Sequence, residues 1–477
     1  MLRKVINPIL FLPVALCINS LNVLSSETKK YMGNVLDEKA NISFIKYKEI
    51  EKIVLNNPEL KSLQNIVTSA KFNLSSQIAQ RYPSLDFQAN GLPQYTLGKN
   101  YNSNLETLKT SQFTANPSLI IRFDLIDPQR GSEIKIAKQN FKIAKNNYEI
   151  KKKDLIQEAR KRYHKFQKSY QDIQNKKFTL DLSITSLNDA EAKLDAGIGT
   201  KFEVLEAKAQ LSRDKLSLNE KIIEHQINKI SLKEILYIQG DIEINKEQNL
   251  MGFWNYKLDK NIKEGLDKNL SLKNLLLQKS IKKSQANSFL SKSKPNIYIS
   301  NIFSSTFSKG DSLSTEIDYE EYGSNYTNTI SLNFAWNIFN GGQDKKSYKS
   351  KIADAEAEKY AFENLKNVLT TNISKAYLNL KLNEEKIISS IKEIDSSKES
   401  VRLSRLRYDV GISTLKDVLL RQSELSNAKS KKIAAIYNFN LNLDELERLT
   451  FLEKNKNCLD KNNNKIVDKK SICNIPI

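Results

Sequence analysis

Side chains suited to acid–base, metal or nucleophilic chemistry are few in this sequence and lie far apart. The chain of 477 residues contains two histidines, His164 and His225, and both fall inside long helical patterns where we expect them to face solvent. A glycine-rich phosphate loop and the Cys/His spacing of a zinc site are absent from the sequence. Residues 460–468 carry oxygen ligands at the spacing of a calcium loop, but they lack its glycine and its final glutamate. These observations predict no enzyme, no metal site and no cofactor.

Cysteine is the remaining reactive residue type, with three copies in the chain. Cys17 follows the bulky Leu16 at a position where a lipoprotein signal needs a small residue, so its context is a poor lipidation signal. Cys458 and Cys473 lie near the C-terminus. In an oxidising compartment they either form one disulfide or remain as two free thiols, and the sequence leaves both alternatives open.

The N-terminus predicts export from the cytoplasm. Arg3 and Lys4 precede an apolar run at residues 5–18 and a short polar stretch. This is the form of a signal peptide, which we assign to residues 1–25. The apolar run is too short to span a bilayer, and no later run in the sequence is long enough for a transmembrane helix.

The net charge of +20 would suggest a nucleic-acid partner for a cytosolic protein. Here the lysines are spread along helical patterns instead of clustering with aromatic residues, and an exported chain seldom meets nucleic acid. We therefore expect no nucleic-acid binding and interpret the lysines as solvated helix faces. A basic coiled coil that binds nucleic acid would require that the N-terminus is not a signal peptide.

Two related stretches organise the rest of the chain. They are DAGIGTKFEVLEAKAQLS at residues 195–212 and DVGISTLKDVLLRQSELS at residues 409–426. In each, a long helical pattern ends at a glycine, Gly197 or Gly411. Glycine adopts the left-handed conformation of a helix C-terminus without steric cost, so we expect a helix to end at each position.

The helical pattern resumes three residues after each glycine. Thr200 with Glu203, and Thr414 with Asp417, have the spacing of an N-cap residue and the acid of a capping box. Each stretch is therefore predicted to be the tip of a helical hairpin, with a turn of two or three residues.

Alternating apolar and polar residues predict four β-strands. In the first half they cover residues 84–90 and 119–125, separated by a polar loop, and in the second half they cover residues 296–307 and 329–339. The last strand has the clearest alternation. Its predicted apolar face is formed by Ile330, Leu332, Phe334, Trp336 and Ile338.

The two halves of the chain follow the same order of helix, strand, strand, long helix, tip and helix. We assign two repeats, at residues 40–240 and 255–451, followed by a Lys/Asn-rich tail at residues 452–477. No Gly or Pro lies between Gly131 and Gly197. The long helix of the first half would therefore extend about 100 Å, far more than a globular domain needs.

Four strands cannot close a barrel, since small barrels need about eight. An amphipathic sheet in an exported chain either packs its apolar face on its own helices or presents that face to lipid around a polar lumen. The long helices with their narrow apolar seams are poorly suited to cover a sheet. If the sheet faces lipid, several copies must pool their strands, because an open sheet edge in a bilayer is prohibitive.

The order of these features resembles that of the outer membrane efflux protein family, the TolC-type channels of bacterial export systems. The matching features are the two tips, the strand-to-helix junction WNIFNGG at residues 336–342, the strand-starting prolines Pro83 and Pro295, and Tyr408 just before the second tip. The resemblance extends over about residues 40–450. It rests on the order of these features in duplicate and not on any single motif.

The resemblance implies a mostly α-helical fold with a small β part. Each protomer of a homotrimer would give four strands to one 12-stranded transmembrane β-barrel in the outer membrane. Its helices would form a long antiparallel α-helical barrel through the periplasm, with a belt around the middle made by residues 31–51, residues 240–259 and the tail. Such a channel gives passive exit to drugs, small molecules or a secreted polypeptide, delivered by an inner-membrane pump and a periplasmic adaptor.

The resemblance also assigns roles at the tips. Glu203, Tyr408 and Asp417 match positions of a periplasmic gate, although the two acids are also suited to capping alone. The chain differs from the family at Ser413, where an arginine is common. The residues that match adaptor-contact positions are Gly197, Ile198, Thr200, Gly411, Ile412 and Thr414.

A second difference from the family lies at Leu420, where the family has an inward-facing acid. Arg405 and Arg407 are candidates to make the gate contacts that the family makes with other residues. The gate assignment therefore rests on the position of each residue relative to the tips and not on a matching motif.

A secreted periplasmic coiled-coil scaffold without a channel is the main alternative. Its short strands would pack on its own helices, so that the apolar face of the last strand would be covered. The two hypotheses therefore differ in the exposure of that face.

Overall fold

The computed structural model describes residues 43–101, 107–311 and 322–455 of the chain. The predicted signal peptide with its cysteine, the pair Cys458 and Cys473, and the calcium-like segment of the tail lie outside the described residues. Within the three described segments, no helix has an apolar stretch long enough to cross a membrane.

Eight α-helices and six β-strands make up the described part of the chain. A 3-10 turn at Tyr47–Glu49 connects the first strand to the first helix. In chain order the elements are β1 (Ser43–Ile45), α1 (Ile50–Val54), α2 (Pro58–Ala79), β2 (Ser84–Tyr101), β3 (Thr107–Ile126), α3 (Arg130–Asp195), α4 (Lys201–Leu236), β4 (Ile242–Ile244), α5 (Leu258–Lys268), α6 (Leu270–Ser291), β5 (Asn296–Asp311), β6 (Tyr322–Ala335), α7 (Gln343–Asp409) and α8 (Leu415–Thr450).

The helices form a wall one layer thick. Helices α3 and α7 have 66 and 67 residues, so each extends about 100 Å. Two shorter helices accompany each of them: α2 and α4 pack on α3, and α6 and α8 pack on α7. The side-chain amide of Asn57, which caps α2, donates to the carbonyl of Ile235 in α4 at 3.0 Å. Because α3 also packs on α6 and α8, the order across the wall is α2/α4, α3, α6/α8, α7.

The seams of this wall differ in polarity. Between α7 and α8, apolar side chains such as Ile394 and Leu425 are buried together. Between α3 and α8 the buried contacts include polar groups, and the Thr179 hydroxyl donates to the Ser426 hydroxyl at 2.8 Å. The apolar seam indicates that α7 and α8 form one stable hairpin, whereas the polar seam joins the two halves of the chain.

Strands β2, β3, β5 and β6 form one antiparallel sheet in that order, with β2 and β6 at its edges. Directly opposed residues lie on the same face of a sheet. On one face Ile299 is opposite Leu332, and on the other Ser300 is opposite Ser331, with their hydroxyls 2.8 Å apart. The sheet therefore has the apolar face and the polar face that the alternation predicts.

The predicted loop between the first two strands is wrong. Strand β2 continues to Tyr101 and β3 begins at Thr107. Backbone pairing runs from Gln94 with Thr114 to Tyr101 with Thr107. The alternation in these segments is short, because Tyr95 and Leu97 of β2 are followed by Gly98 and Lys99. Pairing of β2 with β3, and of β3 with β5 from Ser111 to Ala115, holds these segments extended.

The last strand ends earlier than predicted, at Ala335. Trp336 and Ile338 therefore lie beyond the strand, and their assignment to its apolar face is corrected. The Trp336 indole donates to the carbonyl of Ser293 at 2.9 Å, so this side chain is bound to the turn that follows α6. The remaining members of the predicted face lie on β6: Ile330, Leu332 and Phe334.

A belt of short elements crosses the wall near its middle. Strand β1 pairs in parallel with β4, and Phe253 forms an isolated bridge with Asn455. Apolar residues of the belt and of α3 and α4 pack into one core beneath it. Its largest fully buried members are Ile45, Ile50, Leu60, Tyr163, Leu232, Leu236 and Ile242.

A charged cluster is buried under the belt. Asp444 of α8 is 3% exposed and accepts hydrogen bonds from Tyr47 at 2.6 Å, from His164 at 3.2 Å and from Lys454. The prediction that His164 faces solvent is wrong, because its ring is buried beside this carboxylate. His225 is half-buried against α3, which corrects the same prediction for that residue.

The environment of Asp444 keeps it ionised. Burial alone would raise the pKa of Asp444, but the hydrogen bond from His164 and the charges of Lys454 and Arg160 outweigh burial and hold the pKa well below its ordinary value. Arg160 in turn donates to Glu447 at 2.6 Å. One buried carboxylate therefore joins the segment before α1, helices α3 and α8, and the segment after α8.

Candidate functional site

Both hairpin tips have the predicted backbone geometry. Gly197 and Gly411 have φ of 76° and 79°. The N–H of the residue after each glycine donates to the carbonyl five residues earlier, at 3.0 Å from Ile198 and 2.8 Å from Ile412, which is a Schellman C-cap. A Cβ placed on either glycine would meet no atom within 4 Å. Backbone conformation, and not lack of space, is therefore what requires glycine in this chain.

The acids of the tips close the predicted capping boxes. The hydroxyls of Thr200 and Thr414 accept from the N–H groups of Glu203 and Asp417 at 3.2 and 3.4 Å, and the two carboxylates accept from the N–H groups of the threonines at 3.3 and 3.5 Å. Ser413 also donates to Asp417 at 2.7 Å. This hydrogen bond is the main cause of a lowered pKa of Asp417. Ser413 therefore extends the cap of the second tip.

Tyr408 lies in the interior of the chain, where the ends of the four helices meet. Its side chain is 4% exposed and packs with Ala190 of α3, Val204 of α4 and Leu415 of α8. Its hydroxyl has no hydrogen-bond partner among the described residues. Burial, followed by nearby carboxylates of which Glu203 is the first, raises the pKa of Tyr408 to about 12. The hydroxyl therefore stays protonated at neutral pH.

Two bridges join the first hairpin to the second near Tyr408. The guanidinium of Arg405 donates to Asp189 at 2.7 Å. The ammonium of Lys193 donates to the carbonyl of Tyr408 at 2.7 Å, lies 3.5 Å from the centroid of its ring and 3.9 Å from Asp409. Both bridges must break if the two hairpins separate at their tips.

Sequence reasoning named Arg405 as a candidate but missed Asp189 and Lys193. The two missed residues are four apart on α3, so they share one helix face, and they lie within two turns of the tip. That spacing is the only signal in the sequence for this role, and it is common on solvated helices. Their partners, Arg405 and Tyr408, are more than 200 positions away in the chain.

The surface of the tips is apolar. Ile198, Phe202, Val410 and Ile412 are between 69% and 77% exposed. Exposure of such large apolar side chains to water is unfavourable in free energy, so this surface is suited to contact with another molecule. The residues predicted for adaptor contact all lie on this exposed surface: Gly197, Ile198, Thr200, Gly411, Ile412 and Thr414.

The apolar face of the sheet is uncovered. Ile330, Leu332 and Phe334 are between 63% and 72% exposed. Tyr322 and Tyr326, nearer the other end of β6, are 73% and 77% exposed. The scaffold alternative is therefore not supported, because it requires the chain's own helices to cover this face.

Across residues 43–101, 107–311 and 322–455, no group of three His, Cys, Asp or Glu side chains is placed to hold a metal ion. The chemistry of the described tips consists of hydrogen bonds, ion pairs and apolar contacts. Contacts of this kind can hold helices together, and they break when the helices separate.

One protein family matches this chain. The family model described as outer membrane efflux protein matches residues 50–236 and 295–450, more than half of the chain. No curated protein sequence matches the chain. The two matched ranges contain the two tips and most of the residues of the helical wall.

Solved structures share the fold at low sequence identity. A membrane protein from Pseudomonas aeruginosa is 15% identical, with 85% of this chain and 93% of that chain covered and a TM-score of 0.72. The outer membrane protein VceC from Vibrio cholerae is 14% identical, with 85% and 96% covered and a TM-score of 0.71. The CmeC outer membrane channel from Campylobacter jejuni is 17% identical, with 85% of each chain covered and a TM-score of 0.68. The family model, together with a fold common to these structures, shows that the chain belongs to the outer membrane efflux protein family, which is a family of channels and not of enzymes.

Proposed function

We propose that three copies of this chain form a channel through the outer membrane that continues as a helical tunnel into the periplasm. The tunnel gives passive exit to substrates that an inner-membrane pump and a periplasmic adaptor deliver. One observation carries the proposal: the sheet and the helical wall have their open edges on the same two sides of the protomer.

These edges coincide because of the chain order. Strand β2 directly follows α2 at one side, and β6 directly precedes α7 at the other. Pairing β2 of one copy with β6 of the next would also bring α2 and α4 against α7 of that copy. A head-to-tail contact of this kind leaves a free edge on the last copy until the copies close into a ring. Three copies supply 12 strands, which exceeds the roughly eight needed for a small barrel and leaves room for a lumen.

Both open edges of the helical wall are apolar. A stripe of this kind is unfavourable in water, since full burial of one leucine or isoleucine contributes about 1.5–3 kcal/mol. On α4 the exposed residues follow helical spacing and are Leu216, Ile223, Ile227 and Ile230. On α7 the exposed residues are Leu378, Leu382, Leu403 and Leu406.

The apolar sheet face fits a bilayer in height. Tyr326 and Phe334 lie eight residues apart on the same face of β6, which is about 27 Å along a strand. At the usual tilt of membrane strands this becomes about 21 Å, comparable to the apolar band of outer-membrane barrels. Aromatic residues at both ends of the band suit the two membrane interfaces.

The tips form the closed end of the proposed tunnel. The bridges Arg405–Asp189 and Lys193–Tyr408 hold the two hairpins of each protomer together, and Glu203 and Asp417 stabilise the tip turns beside them. In this proposal the adaptor binds the exposed apolar tips and favours the separated arrangement of the hairpins. The energy for transport comes from the pump in this proposal.

The trimer and the channel can be tested on the full-length protein in detergent. Light scattering should give the mass of three copies, and the protein should insert into planar lipid bilayers with discrete conductance steps. Ile227→Glu with Leu382→Glu places charges on both helical edges and should reduce the fraction of trimer. The control is Ile184→Glu, which alters a partly exposed apolar residue of α3, inside the wall. A monomer without conductance, from protein of normal yield, would overturn the proposal.

A further inference from the structure

A cavity of about 700 Å³ lies on the belt side of the wall, below the segment that follows β4. Helices α3, α7 and α8 form its walls. Apolar side chains, including Phe178 and Ile433, line part of it, and three lysines, Lys398, Lys429 and Lys432, line another part. The cavity belongs neither to the tips nor to the sheet face.

The three lysines of this cavity form no ion pair with a carboxylate in the described part of the chain. Lys431, their neighbour on α8, does form one, with Glu393 at 2.7 Å. The ammonium of Lys429 instead lies 3.2 Å from the centroid of the Phe178 ring. The one acid that lines the cavity, Glu247, accepts a hydrogen bond from Asn249 at 3.5 Å. The cavity therefore has an excess of positive charge.

This excess charge is partly buried. Burial, followed by repulsion from Lys398, lowers the pKa of both Lys429 and Lys432. Asp395 partly offsets this repulsion at Lys432. An anion in the cavity would relieve it further, because it would bring opposite charge to all three lysines.

A buried amide adds a second requirement. Asn175 lines the same cavity and is 5% exposed. Its amide nitrogen donates to the Ser426 carbonyl at 2.9 Å and to the Ser430 hydroxyl at 3.0 Å. Its Oδ1 atom has no donor among the described residues, and an unpaired buried acceptor costs free energy. A ligand with an O–H group could satisfy it if the amide turns toward the cavity, because the Oδ1 atom is itself buried.

We propose that this cavity binds a small polycarboxylate that carries a hydroxyl group, the class to which citrate belongs. The carboxylates pair with Lys398, Lys429 and Lys432, the hydroxyl donates to Asn175, and the carbon skeleton packs on the apolar wall. That wall favours an organic anion over inorganic phosphate. The site does not depend on the channel activity and would exist even if the channel proposal failed.

The proposal is tested by calorimetric titration of the full-length protein in detergent at low ionic strength. Citrate should bind to one site per chain. Lys429→Gln with Lys432→Gln should weaken citrate binding about tenfold or more, because two charge-assisted contacts are lost. Lys416→Gln with Lys431→Gln makes the same change in net charge at exposed positions and should alter the affinity less than twofold.

Two further ligands separate the parts of the proposal. Tricarballylate, which is citrate without its hydroxyl, should bind several-fold more weakly, and inorganic phosphate more weakly still. Equal affinity for citrate and tricarballylate would refute the role of Asn175. Equal affinity of both double variants, or phosphate binding as tight as citrate binding, would overturn the polycarboxylate site.

A labelling experiment gives a second readout that does not rely on heat. Amines with lowered pKa react faster with acylating reagents at neutral pH, because more of the neutral amine is present. The lowered pKa of Lys429 and Lys432 favours their reaction at neutral pH, and mass spectrometry of the digested protein measures their acylation beside that of Lys431. Citrate should slow the reaction of Lys429 and Lys432 but not that of Lys431. Slowing of all three lysines alike would contradict a specific site.

Discussion

The bridge between Arg405 and Asp189 gives the sharpest test of the proposed gate. It joins α7 to α3 at 2.7 Å, and its two side chains are 31% and 38% exposed. Arg405→Ala removes the only described ion pair of this arginine across the two hairpins. We expect this change to favour separation of the tips and to raise the open probability of the channel.

The size of the effect follows from the exposure of the pair. A partly exposed ion pair is screened by solvent and contributes about 0.7 kcal/mol. In a trimer three such pairs act together, so the closed arrangement would lose about 2 kcal/mol. Since 1.4 kcal/mol is a factor of ten in an equilibrium constant, the ratio of open to closed channels should rise by about thirtyfold.

Single-channel recording in planar bilayers measures this ratio directly. Arg402→Ala is the matched control, because Arg402 lies one turn earlier on α7 and pairs within its own helix, with Glu399 at 2.6 Å. The exchange Arg405→Asp with Asp189→Arg should restore most of the closed population. If Arg405→Ala and Arg402→Ala gave the same open probability, the bridge would not be part of a gate.

Three other predictions concern the tips and the belt. Asp444→Asn should lower the free energy of unfolding by about 3–5 kcal/mol, because it removes the carboxylate nearest to the buried ammonium of Lys454, and thermal unfolding would detect this; a loss below about 1 kcal/mol would contradict it. Because the pKa of Asp444 is lowered by folding, its contribution to stability is complete above the ordinary aspartate pKa of about 3.9 and decreases as the pH falls below it. Melting temperatures should therefore fall with acid less steeply in Asp444→Asn than in the unaltered protein, and equal slopes would refute this. Gly411→Ala should destabilise the second tip by about 1 kcal/mol through its left-handed backbone alone. The control Asn427→Ala, at an exposed position within α8, should leave the tip unchanged, and hydrogen exchange of the tip amides would report the difference.

Local chemistry made the tips predictable. The conformation of Gly197 and of Gly411 depends on a few neighbouring residues, and a capping box such as that of Thr200 and Glu203 is complete within four positions. The same holds for the long helices, which continue as long as no Gly or Pro interrupts them. These features could be found in one sequence because every interacting group lies within one helical turn.

Strand extent was predictable only where one face is apolar. The alternation around Leu332 identifies β6, but it gave a wrong end, because the strand ends at Ala335, opposite the first residue of its partner β5, Asn296. The far ends of β2 and β3 carry only a short alternation, at Tyr95 and Leu97. Their extended form comes from pairing of β2 with β3 and of β3 with β5, and the sequence of either strand alone does not encode it.

The sequence by itself therefore determined the helix ends, the two tips and the amphipathic sheet, because each depends on neighbours in the chain. Only the tertiary structure decided the burial of His164 beside Asp444 and the pairing of Arg405 with Asp189. These contacts join groups more than 200 positions apart. Charged side chains are as stable in water as in an ion pair, so their position in the sequence does not indicate which partner they contact in the folded chain.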